Sequence, residues 1–107
     1  MKVDPVLKLQ VDKILTHVQK IAPGKSVELR IPSYSAIQCI PGSVHRRGTP
    51  SNVVEMSAQT LINLAKNPHK WEELCSIGMI SASGTNSNLK KLFIQISKLK
   101  QESRLEI

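Results

Sequence analysis

The run from Asn52 to Phe93 constrains the fold most. Two short β-type runs, Asn52 to Met56 and Met79 to Ser83, bracket two helical segments. Ser57 is placed to cap the first segment, and Ala58, Leu61, Leu64 and Ala65 form its apolar face. Asn67-Pro68 ends that helix and opens the next, with Asn67 as the expected cap and Pro68 in the first turn. Trp71, Leu74 and Cys75 recur at helical spacing until Gly78, and Glu72 and Glu73 suit the positive end of that helix. Neither helix can bury its apolar face alone, so both must lie on the strands that flank them.

The rest of the chain extends this layout. Asp4-Pro5 opens an amphipathic helix whose stripe is Leu7, Val11, Ile14, Leu15, Val18 and Ile21, stopped at Pro23-Gly24. Ser26 to Ile31 alternates, with Val27, Leu29 and Ile31 on one side and Glu28 and Arg30 on the other. Ser35 to Ile40 follows Pro32 closely enough to pair with it as a hairpin. After Gly84, one of Asn86, Ser87 or Asn88 caps a last helix with the stripe Leu89, Leu92, Phe93, Ile96 and Leu99. The expected organisation is a single domain over 1–100 with a frayed tail over 101–107.

At 107 residues the chain has room for one modest core. Tyr34, Trp71 and Phe93 are its only aromatics, so that core must be aliphatic. The formal charge of +7 raises nucleic acid, an anionic membrane or an anionic ligand as partners. The basic residues are scattered and the aromatics too few for base stacking, which argues against nucleic acid. Cys39 and Cys75, with no apolar leader ahead of them, read as reduced thiols of a cytoplasmic protein. His17, His45 and His69 have no metal-ligand spacing, and no nucleophile–base pair is evident, so neither a metal, a cofactor nor an enzymatic activity is expected. Chemically capable groups gather only in PGSVHRRGTPS, residues 41–51. There His45, Arg46 and Arg47 can contact an anion or a partner, or can simply decorate a solvated loop.

Two blocks carry a family resemblance. LCSIGMISASG, from Leu74 to Gly84, resembles the helix–Gly–strand–Gly signature of the sterol carrier protein superfamily, with Met79 where that family commonly has Lys. RIPSYSAIQCIPGSVHRRGTPSNVVE, from Arg30 to Glu55, resembles the bacterial group described as sterol carrier protein orthologues. The resemblance implies an α+β fold: a curved, largely antiparallel sheet of about five strands covered on one face by helices. It also implies non-catalytic binding or transfer of a lipid or other apolar ligand in a tunnel between sheet and helices. Small residues mixed among large ones fit such a cavity. The expected apolar lining is Ile37, Cys39, Val54, Leu61, Leu64, Trp71, Met79, Leu92, Phe93 and Ile96. Transient contact of the basic last helix with an anionic membrane is a further expectation, against the simpler reading that its stripe covers the core. The alternative function is an accessory, protein-interaction domain that uses the His45-Arg46-Arg47 loop and holds no ligand.

Overall fold

The computed structural model describes residues 3–42 and 52–103, with side chains to residue 99. Helix α1 spans Pro5–Ile21. Its cap is Asp4, whose carboxylate oxygen accepts from the N–H groups of Val6 (2.8 Å) and Leu7 (3.4 Å), satisfying donors that the first turn leaves open. Strands β1 (Val27–Ile31) and β2 (Ser35–Cys39) form the expected hairpin, followed by β3 (Asn52–Met56). Helix α2 (Ala58–Lys66) is capped by Ser57, whose Oγ accepts from the Thr60 N–H at 3.1 Å. A single 3₁₀ turn, Pro68–Lys70, leads into α3 (Trp71–Ser76), and β4 (Ile80–Ser83) and α4 (Lys90–Ser103) complete the fold.

Asn67 departs from expectation. Its side chain makes no cap bond to the turn that follows, where the Lys70 N–H donates instead to the Asn67 carbonyl (3.2 Å). The end of α3 follows the pattern closely. Gly78 sits at φ +80°, its N–H bonds the Cys75 carbonyl (3.2 Å), and the Met79 N–H bonds the Leu74 carbonyl (2.9 Å). This paired arrangement closes the helix and needs a residue that tolerates the left-handed region.

The sheet order is β2-β1-β3-β4. The β1–β2 and β3–β4 pairs are antiparallel, whereas β1 and β3 run parallel, with Leu29 beside both Ile37 and Val54. The sheet is therefore α+β in class as expected, but mixed and four-stranded among the described residues, not five-stranded. Tyr34 belongs to the short turn between β1 and β2, its N–H bonded to the Ile31 carbonyl at 2.9 Å.

Strand alternation sets the layers. Val27, Leu29, Ile31, Cys39, Val54, Met56 and Ile80 are buried on one face, against α1, α2 and α4. Glu28, Arg30 and Glu55 occupy the other face, where Arg30 pairs with Glu28. The α4 stripe of Leu89, Leu92, Phe93 and Ile96 is buried in the same core cluster, and α4 packs on α1, α2 and the 3₁₀ turn. That face of α4 is occupied by the domain itself. The helix continues to Ser103, past the expected start of the tail.

Candidate functional site

One end of the sheet gathers the starts of β1 and β3 and the ends of β2 and β4. Asn52 is the pivot of this end. It is the first residue of β3, faces inward with Val54 and Met56, and is 2% exposed. A buried amide must find partners. Its Nδ2 donates to the Ser26 carbonyl (2.9 Å), and its Oδ1 accepts from the Asn86 N–H (2.9 Å). The turn before β1 is thereby tied to the segment before α4. Ser26, 1% exposed, continues the network: its N–H (3.1 Å) and Oγ (2.8 Å) both donate to the Ile40 carbonyl. The Ile40 N–H in turn donates to the Ala22 carbonyl at 2.7 Å.

Ile40 is held at φ +66°, an unfavourable region for a β-branched residue. The bonds just described hold it there. Gly24 completes the approach, since a Cβ at that position would collide with the Ile40 carbonyl. On the opposite wall, Ser87 Oγ donates to the Gly84 carbonyl (2.9 Å), and Asn88 Oδ1 accepts from the Lys90 N–H (3.0 Å) to cap α4.

Between these walls lies an open groove of about 690 Å³. Ala22, Ile40, Pro41, Leu89 and Leu92 supply apolar surface, and Thr85, Asn86, Asn88, Lys90, Lys91 and Gln95 supply polar groups. Leu89 and Leu92 belong to the core cluster, and Ala22 and Ile40 pack against it, so the groove surface continues into the interior. Lys90 donates to Glu72 at 2.8 Å, and this ammonium holds the Glu72 carboxyl below its usual range.

The sequence-derived lining residues separate into three sets. Cys39, Val54, Leu61, Leu64, Trp71, Leu92, Phe93 and Ile96 come together in the buried cluster, and Ile37 packs at its edge, half-buried on β2. Of all ten, Leu92 alone also faces the groove. Met79 stands apart: it is 49% exposed in the turn between α3 and β4 and lines a smaller recess, about 290 Å³, with Pro32, Tyr34 and Glu55. His45, Arg46 and Arg47 lie outside the described residues. Sequence reasoning missed Asn52 and the groove residues Ala22, Ile40, Pro41, Leu89 and Lys91. A polar residue at the inward register of an alternating strand was the available signal for Asn52.

Both cysteines are free. Burial pushes the Cys39 thiol up to about 11, and burial together with the nearby Glu72 carboxylate raises that of Cys75. Neither is poised as a nucleophile. Among the described residues no group of three or more His, Cys, Asp or Glu side chains converges as a metal site, and no helix is long and apolar enough to cross a membrane.

A helical layer on one face of a small mixed sheet, with a partly apolar groove at its end, fits a sterol-carrier-protein-like domain. The chain belongs to the family described as bacterial SCP ortholog, whose model matches residues 5–94. Among solved structures it is similar to one titled UbiJ-SCP2 Ubiquinone synthesis protein, at 10% identity and a TM-score of 0.55, covering 94% of this chain and 97% of that one. At that identity the likeness is one of fold. No curated protein matches the chain.

Proposed function

We propose that this protein is a non-catalytic carrier that takes a lipid or other apolar small molecule between its sheet and helices, with the groove beside α4 as the entrance. The observation that carries this reading is the continuity of the groove surface with the aliphatic core through Leu89 and Leu92. The groove volume falls within the roughly 300–1,000 Å³ range of small-molecule sites. Family membership supports the same reading, since a lipid or apolar ligand is what a sterol-carrier-like fold suggests. The core residues Val54, Leu61, Leu64, Phe93 and Ile96 then line the inner end of the site, and a ligand reaches them by displacing the Leu92 side chain.

Native mass spectrometry of the purified protein, followed by titration with a fluorescent fatty acid and a quinone, tests this. Uptake is expected in the wild type, and Gln95→Trp, which fills the groove from its exposed rim, is expected to abolish uptake with the melting temperature unchanged. Absence of both co-purified lipid and uptake overturns the proposal. In that case the accessory-domain reading takes over, and alanine at Arg46 and Arg47 is expected to abolish partner capture without altering stability.

A further inference from the structure

We infer that the occupant of the groove is an anionic amphiphile, its apolar tail along Ile40, Leu89 and Leu92 and its acid head at Lys91. This rests on the carrier reading and specifies the ligand class. The first support is the charge of the walls. No carboxylate side chain lines the groove among the described residues, while two lysines do. Lys90 is committed to Glu72, whereas Lys91 is exposed and makes no ion pair among the described residues. A cation in that setting is available to an incoming acid.

The second support is where the acids are absent. The stretch from residue 32 to 54, which supplies Ile40 and Pro41, contains no Asp or Glu, and neither does the stretch from 74 to 101, which supplies every groove residue from Thr85 to Gln95. The acids Glu28 and Glu55 are on the outer face of the sheet, and Glu72, on α3, reaches the groove rim only as the ion-pair partner of Lys90. Among the described residues the groove lining therefore carries one uncommitted cation, Lys91, and no carboxylate. The recess at the opposite end shows the contrast: it is lined by Glu55 and by no Lys or Arg among the described residues. The same tail would find apolar surface at either end, but an acid head would be repelled from the second and drawn to the first.

The test uses the full chain and four decyl compounds below their micelle concentrations: decanoate, decyl phosphate, decanol and decyltrimethylammonium. Acetate and inorganic phosphate serve as tail-less controls. Calorimetry is expected to rank both acid-headed compounds above decanol and decyltrimethylammonium last. Raising salt from about 0.05 to about 0.5 M is expected to weaken the acids alone. Lys91→Met is expected to weaken the acids by about 3- to 10-fold and to leave decanol unchanged. Lys91→Glu is expected to reverse the ranking. Equal binding of all four heads, or an acid preference that survives both Lys91 variants, overturns the inference and leaves the carrier reading standing. Inorganic phosphate binding as tightly as decyl phosphate also overturns it, because the tail would then contribute nothing. No binding by any decyl compound ends both.

Discussion

Replacing Asn52 with alanine removes two side-chain hydrogen bonds, to the Ser26 carbonyl and from the Asn86 N–H. The Ser26 carbonyl keeps the backbone N–H of residue 52 as a donor (3.1 Å), and Asn86 is exposed enough for water to replace its partner. Neither group is orphaned, so the cost is that of two net hydrogen bonds, each about 1 kcal/mol, plus a small void in place of a nearly inaccessible side chain. The expected loss is about 2–3 kcal/mol. For a domain of this length that corresponds to a fall in Tm of roughly 10–20 °C. Urea unfolding followed by circular dichroism reads it directly, with the midpoint falling and the m-value unchanged. A loss below about 0.5 kcal/mol would refute the argument that Asn52 ties the two walls together.

Phe93→Ala empties the largest fully buried side chain in the core and is expected to cost about 3–5 kcal/mol, read by the same unfolding assay. Gly78→Ala meets no atom within 4 Å yet must adopt φ +80°, so a loss of about 1–2 kcal/mol with unchanged core packing is expected; calorimetry on the variant checks it. Because the folded Cys39 thiol titrates at about 11, the unfolded chain gives up its proton first. Stability is therefore expected to be retained below about pH 9 and to fall as pH rises toward 11, and the part of that slope due to Cys39 is expected to vanish in Cys39→Ala. Iodoacetamide is likewise expected to modify half-buried Cys75 before Cys39 in the native protein, as peptide mass spectrometry would show.

Local signals in the sequence translated well into local structure. Asp4 and Ser57 cap the helices they precede, and Gly78 ends α3, because each acts on backbone groups within a few residues. The alternation of Val27, Leu29 and Ile31 predicted which side chains turn inward, since a period of two leaves no other choice. Pairing was harder to read. Nothing local in Asn52 to Met56 says that β3 lies parallel to β1, because that depends on a long-range pairing with the edge of β1 that β2 leaves free. The groove was less legible still. Ala22, Ile40 and Pro41 occupy turns, where no periodicity marks a face, and they become a wall only when the Asn52 and Ser26 bonds join segments distant in sequence. Met79 was expected inside with its apolar neighbours, yet the turn that closes α3 sends it toward solvent.

The parallel pairing of β1 and β3 obliges the chain to travel from the end of β2 to the start of β3, past one intervening strand. Two strand spacings come to roughly 10 Å, a distance about three extended residues cover. Twelve residues separate Cys39 from Asn52. Bridging the strands needs only about a quarter of that length, and Ile40 and Pro41 build the groove wall. Shortening the stretch 43–51 to the span the strands require is expected to spare the sheet, and whatever ability disappears with it belongs to recognition and not to folding.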